Sequence, residues 1–208
     1  MKIYSAIFND HAHLEQFGEC DVVHEPEELI DSKGILILHG GEDISPSIYG
    51  HKLSRMTRAD PFMSHRDKIE VNLAKKAIEL GIPIFGICRG AQLSCALAGG
   101  SLVQHVNNHA MGAHTVRTID KQELSTSSCH HQMMNPWDVD HELLAWSAPS
   151  RSDVYIIEHE DRIKMKLEPE IVFFPKIKAL AIQGHPEWMQ SSTPFVKHCL
   201  KLVEEKLL

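Results

Sequence analysis

The sequence predicts an α/β fold: one domain, residues 1–208, on a doubly wound, mostly parallel sheet with flanking helices and a small extra β layer. Three observations predict it. Unbroken apolar runs at 34–38, 82–87 and 179–182 lead into sharp turns, and such runs suit strands covered on both faces. A well-marked helical stretch lies between the first two runs and a second follows the 82–87 run, the strand–helix–strand–helix pattern of a parallel sheet. The hydrophobic fraction of 43% over 208 residues is enough for one sizeable core and leaves little room for a second domain.

The elements follow in order. "MKIYSAIF" (1–8) alternates apolar and polar residues and reads as a first strand. "GILILHGG" (34–41) is a buried strand ending in two glycines. A long polar loop covers 42–62, a length that in a compact domain points to function. Ser64 and Asp67 then have capping-box spacing, and Ile69, Leu73, Ala77 and Leu80 form one apolar stripe. Gly81 suits a left-handed helix end, and Pro83 prevents continuation. "IPIFGI" (82–87) is the next buried strand, and 89–98, rich in Ala and Leu, is the next helix. Between 100 and 167 the pattern turns to short strands and loops, "SLVQHV", "HTVRTI", "DVYIIEHE" and "RIKMKL", layered on the main sheet. "KALAIQGHPEW" (178–188) is a last buried strand running into a polar turn. Thr193 as N-cap and Pro194 as first helical residue open a terminal helix with the stripe Phe195, Cys199, Val203 and Leu207. There is no internal repeat, low-complexity segment or interdomain linker.

Composition excludes several classes. The net charge is -7 and no run of Lys or Arg exists, so no nucleic acid is expected as a partner. No apolar stretch reaches the ~18 residues that span a membrane, and the N-terminus reads as a strand rather than a signal peptide. Five scattered cysteines without a C-x-x-C pair imply reduced thiols and a cytoplasmic setting.

"GIPIFGICRGAQLSCALAGG" (81–100) carries the chemistry. A strand that turns abruptly into a helix exposes the residue at the turn and needs small neighbours, as in the G-x-nucleophile-x-G elbow. Gly86, Cys88 and Gly90 fill that pattern. The helix N-terminus favours a thiolate at Cys88, and the Arg89 N–H is placed to bind an oxyanion. A nucleophilic cysteine needs an oriented histidine. Of fifteen histidines, His185 in "AIQGHPEW" also follows a buried strand, with Glu187 two residues on. Strand ends at the carboxyl edge of a parallel sheet share one crevice, which would unite Cys88, His185 and Glu187. Either motif alone also fits a packed core residue; the two together favour chemistry.

These residues carry a resemblance. "GICRGAQ" resembles the elbow of class I glutamine amidotransferases and "HPE" their His-x-Glu. "GGEDISPSIYG" (40–50), "HRDKIE" and "SCHHQ" (128–132) are more similar to the free-standing γ-glutamyl hydrolase, or peptidase C26, branch. The resemblance implies a flavodoxin-like α/β sheet and cleavage of a γ-glutamyl amide through a cysteine thioester. It implies Cys88 as nucleophile, His185 as general base and acid, and Glu187 as its orienter. It implies Gly41, or Gly40, as a second oxyanion N–H beside Arg89. Gln92 would hold the glutamyl group, and Ser128, Cys129, His130, His131 and Gln132 would line the site. No metal or organic cofactor is expected. Gly184 stands where the family carries a large aromatic, and Trp188 would fill that space. The alternative is a glutaminase subunit that passes ammonia to a separate synthetase; a non-catalytic binding protein of the same fold is a third reading.

Weaker signals have plainer readings. His105, His109 and His114 fit no standard zinc spacing, and no cysteine or carboxylate joins them in the sequence, so they read as exposed or at the site's edge. Cys95 reads as a packing residue, Arg66 and Glu70 as a surface ion pair, and Arg89 as a loop brace.

Overall fold

The computed structural model describes residues 1–7, 12–30 and 33–208. The strands are β1 Lys2–Ser5, β2 Glu19–Val22, β3 Ile35–Leu38, β4 Ile84–Ile87, β5 Ser101–Val103, β6 His105–Val106, β7 Ala113–Thr118, β8 Glu123–Ser127, β9 Met133–Asn135, β10 Glu142–Ser147, β11 Tyr155–Ile156, β12 Pro169–Phe174 and β13 Ala179–Ile182. The α-helices are α1 His65–Leu80, α2 Arg89–Leu97 and α3 Pro194–Lys206. Position 8, the end of the expected first strand, lies outside the described residues.

Nine strands form one sheet in the order β2-β1-β3-β4-β13-β12-β10-β7-β8. It is parallel from β2 through β13, and β12, β10, β7 and β8 extend it with antiparallel pairings. Side chains alternate across a strand, and the apolar runs are therefore divided between two cores. Leu36 and Leu38 face Leu73, Ala77 and Leu93 of α1 and α2. Ile35 and Ile37 face the core that contains Phe195, Cys199 and Val203 of α3. Helices thus cover both faces, as a doubly wound sheet requires.

The helix signals hold in detail. Ser64 Oγ accepts from the Asp67 N–H and Asp67 Oδ2 from the Ser64 N–H, each at 3.0 Å. Gly81 closes α1 in the left-handed region with φ 71°. The buried face of α1 differs from the expected stripe. Leu80 is exposed, whereas Asp67 and Glu70 are buried. The small extra β layer consists of two ribbons, β5 with β9 and β6 with β11. The longer strands of that region, β7, β8 and β10, instead continue the main sheet. "RIKMKL" contributes only a bridge from Arg162 to Ile156. Sequence reading missed β12, because Pro169 and Glu170 interrupt its apolar run; both are buried.

Candidate active site

Three neighbouring strands build the site. Gly86 of β4 is in register with Leu38 of β3, and Ile87 with Ile182 of β13. The next residues of each strand therefore emerge side by side at the carboxyl edge of the sheet: Gly40 and Gly41, Cys88, and Gln183 to His185. Such edges gather ligand-binding groups in α/β sheets.

Cys88 stands at the junction of β4 and α2, with φ 49° and ψ −103°. A cysteine at positive φ is uncommon, and strain of this kind gathers at functional sites. Gly86 and Gly90 meet backbone to backbone across the turn, which permits the tight elbow. Burial works against the thiolate that the helix terminus favours. Burial, with the Glu187 charge adding to it, pushes the Cys88 thiol up to about 12, and the Arg89 N–H only partly opposes this. Desolvation here outweighs the helix terminus.

His185 Nδ1 lies 2.7 Å from Glu187 Oε1, and both side chains are buried. The carboxylate accepts, so Nδ1 carries the proton and Nε2 of the neutral ring is left as the basic atom. Gly40 sits between this ring and the elbow: a Cβ there would fall 2.8 Å from His185 Cε1 and 3.5 Å from Cys88 Cβ. The Trp188 ring stacks parallel on His185 with centroids 3.6 Å apart. Trp188 therefore does not fill the place of the aromatic before the histidine. Thr126 and Ser127 do, since a Cβ on Gly184 would lie 2.2 Å from Thr126 Oγ1 and 2.9 Å from the Ser127 carbonyl oxygen.

Two adjoining cavities open at the thiol. One, of about 270 Å³, is lined by Gly40, Gly41, Cys88, Cys129, His185, Glu187 and Trp188. The other, of about 370 Å³, adds Glu42, Asp43, Arg58, Gln92, His130, His131 and Gln132. Ser128 is the exception among the expected lining residues. It is buried, and its hydroxyl donates to the His109 carbonyl at 2.6 Å. Gln92 reaches the cavity, yet its amide N–H groups point to the Gln132 carbonyl at 3.2 Å and to Gln183 Oε1 at 3.5 Å. Gln183 in turn directs its amide at Cys88 Sγ, 3.8 Å away. Neither Gln183 nor Arg58 stood out in the sequence. Gln183 ends a buried run and could have been found from that position; Arg58 has no signal beyond the length of its loop.

The Arg66–Glu70 pair read as a surface feature reaches inward from a half-buried Arg66 to a buried Glu70. Glu70 is 1% exposed and Arg89 is 1% exposed. Arg89 pairs with Glu70 and with Asp67, which confirms it as a brace beneath the elbow. Arg66 pairs with Glu70 at 2.8 Å and donates to the His39 and Gly40 carbonyls at 3.1 and 3.0 Å. One charged network therefore ties α1 to both the Cys88 turn and the glycine loop.

Of the three histidines expected to be exposed or at the site's edge, His105 is half-buried and the other two are interior. His109 and His114 are buried, and carboxylates do join them, from the β12 region. Burial pushes the His130 imidazole down to about 4. Burial also works against ionisation of Glu168, but hydrogen bonds from His109, the Ser152 and Arg151 N–H groups and Tyr155 outweigh it and hold this carboxyl at about 2.

Comparisons with known proteins agree with this fold. The peptidase C26 family profile matches residues 21–135. A glutamine amidotransferase-like protein of Rickettsia prowazekii is 40% identical over 93 residues, 44% of this chain and 31% of that protein. One of Lactococcus lactis is 24% identical over 217 residues, 94% of this chain and 84% of that protein. The chain thus spans about a third of the Rickettsia relative and most of the Lactococcus one. The crystal structure of a glutamine amidotransferase from Thermotoga maritima matches with a TM-score of 0.57 at 15% identity, over 99% of this chain and 85% of that one, a likeness of fold. Among the described residues no helix is long and apolar enough to cross a membrane. With more than half of its length inside the matched profile, the chain belongs to the peptidase C26 family of the class I glutamine amidotransferase-like superfamily, and that membership supports an enzyme that hydrolyses amides.

Proposed function

We propose that the protein hydrolyses the γ-glutamyl amide bond of glutamine or of a γ-glutamyl amine, with Cys88, His185 and Glu187 as the catalytic residues. The observation that carries this reading is the strained cysteine at a helix start, sharing one cavity with a histidine that is bonded to a buried carboxylate. His185 Nε2 takes the thiol proton as Cys88 Sγ attacks the γ-carbonyl. The backbone N–H groups of Arg89 and Gly41 hold the tetrahedral oxyanion. His185 then gives its proton to the leaving nitrogen, the C–N bond breaks, and a γ-glutamyl thioester remains. Water, deprotonated by His185, attacks the thioester; glutamate leaves and the proton returns to sulfur. The thiol rests protonated, so attack and proton transfer are coupled. Arg58 and Gln132, in the larger cavity, suit the α-carboxylate of the glutamyl group.

The test is glutamate release from a panel of γ-glutamyl amides, glutamine included, with Cys88→Ala beside the wild type. Strong turnover of one compound, lost in the variant, supports a stand-alone hydrolase and names its leaving group. Silence across the panel, with Cys88 still modified rapidly by a glutamine-like electrophile, would replace this reading by a glutaminase subunit awaiting its synthetase. Silence in both assays would overturn the catalytic assignment.

A further inference from the structure

Behind the wall of the larger cavity lies a second set of titratable groups that the proposed chemistry does not use. His109, His130 and Glu170 are each at least 97% buried, with relative exposures of 0%, 3% and 1%. They come from three places in the chain: the loop before β7, the 128–132 segment, and β12. Their ligand atoms lie within 4.8 Å of one another.

The proton accounting of this cluster is unusual. His130 Nδ1 is 2.8 Å from the Gln132 carbonyl oxygen. A carbonyl only accepts, so Nδ1 carries the proton and Nε2 of the neutral ring keeps a lone pair. His109 Nε2 is 3.2 Å from a Glu168 carboxylate oxygen, so the same argument leaves a lone pair on Nδ1. Neither of these nitrogens has a hydrogen-bond partner, and neither does Glu170 Oε2. The other Glu170 oxygen accepts from His114 Nε2 at 2.7 Å. Two ring nitrogens and one carboxylate oxygen are thus left in the interior without a donor, beside the Glu170 oxygen that His114 holds. Buried polar groups left in that state are rare and costly.

A hydrogen-bond donor or a cation resolves the arrangement, and the spacing bears on which. His109 Nδ1 and His130 Nε2 lie 3.6 and 4.0 Å from the nearer Glu170 oxygen. A water donating to two acceptors at ~2.8 Å would hold them roughly 4.5 Å apart. A tetrahedral zinc ion with bonds of ~2.1 Å holds its ligands roughly 3.4 Å apart. The 3.6 Å spacing is close to the second value, and the 4.0 Å spacing lies between the two. Charge agrees: the partners of Glu168 and Glu170 are histidines, backbone N–H groups and the Tyr155 hydroxyl, and none of them is a lysine or arginine side chain. Ligands held from behind by a carboxylate or a carbonyl are also what a metal site needs.

We propose that His109, His130 and Glu170 form a buried divalent-metal site of zinc type, with Glu168, His114 and the Gln132 carbonyl fixing the ligands from outside. The ion pins the 128–132 segment to β12. His130 sits between Cys129 and His131, which line the cavity beside Cys88, so the ion sets the shape of that wall.

The test uses untagged full-length protein and does not depend on any activity. Elemental analysis after gel filtration in metal-free buffer is expected to give about one zinc per chain, retained in Cys88→Ala and reduced at least tenfold in Glu170→Gln and His109→Gln. Chelator-treated wild type titrated with Co2+ should show the visible absorption of a tetrahedral site without thiolate charge-transfer bands, and a rise in Tm. The proposal fails if wild type is metal-free as isolated and takes up neither Zn2+ nor Co2+, or if its metal disappears in Cys88→Ala. Wild-type protein alone can refute the site in this way, so misfolding of the variants does not rescue the idea.

Discussion

The chain twice joins imidazole to buried carboxylate at the same end of one sheet, by opposite means. At the elbow, His185 and Glu187 are two residues apart on one turn. In the second cluster, His109 meets Glu168 across 59 residues and His114 meets Glu170 across 56. The first pair is local, rests on backbone geometry and opens to a cavity. The second exists only when the sheet has assembled, and it is sealed. A local pair can be tuned for chemistry without disturbing the fold, whereas the distributed cluster is part of the fold itself.

Substitutions that separate activity from stability break or sharpen this contrast. Cys88→Ala should lower glutamate release by about 10⁶-fold while leaving Tm within a few degrees of wild type. Glu187→Gln should lower kcat by about 10⁴-fold, because the ring loses the acceptor that fixes its tautomer. Steady-state kinetics and thermal unfolding of the two variants check both statements. If either unfolds the protein, the elbow is no more independent of the fold than the distant cluster.

The contrast also explains what the sequence made legible. Elbow, helix caps and buried strands have signatures within ten residues of chain: Gly86-x-Cys88-x-Gly90, Ser64 with Asp67, Thr193 with Pro194. Each is readable because one turn's geometry dictates the residues it needs. The histidines read as exposed because their carboxylates, Glu168 and Glu170, lie 59 and 56 residues away at the start of β12, ahead of its apolar run. Arg66 and Glu70 mislead for a related reason. Spacing of i,i+4 fits any helix surface, and Arg89, which takes Glu70 into the interior, comes 19 residues later.

The next effect concerns the resting thiol. Its pKa is raised, by burial first and then by the Glu187 charge. A raised value means less thiolate at any pH below it. Iodoacetamide should therefore modify Cys88 about 10³-fold more slowly than an unfolded cysteine near pH 8. The rate should climb about tenfold per pH unit through pH 9 with no plateau. Mass-resolved alkylation of Cys88 checks it. A plateau near neutral pH would mean that the helix terminus wins over desolvation, which would make the elbow a preformed thiolate site.

Arg89 lies where the local and distributed styles meet. Its N–H belongs to the elbow, while its guanidinium pairs with Asp67 and Glu70 on α1. Arg89→Met keeps the N–H and much of the volume, yet leaves buried Asp67 without its cation and Glu70 with Arg66 alone. The expected cost is about 3–5 kcal/mol, read by urea unfolding at pH 7. A loss below about 1 kcal/mol would be the behaviour of an exposed pair and would restore the surface reading.

The smallest effect tests a purely local signal in the same network. Ser64→Ala removes the hydroxyl that accepts from the Asp67 N–H and should cost about 1 kcal/mol. Asp67 Oδ2 still accepts from the Ser64 position's backbone N–H, and Oδ1 remains with Arg89, so the rest of the network stays in place. The double variant Ser64→Ala/Arg89→Met then measures coupling between cap and brace. A loss equal to the sum of the two single losses means that the cap and the elbow are independent devices on one helix. A smaller combined loss means that Asp67 conveys the Arg89 interaction to the start of α1, and that the local cap is held in place by the interior ion pair.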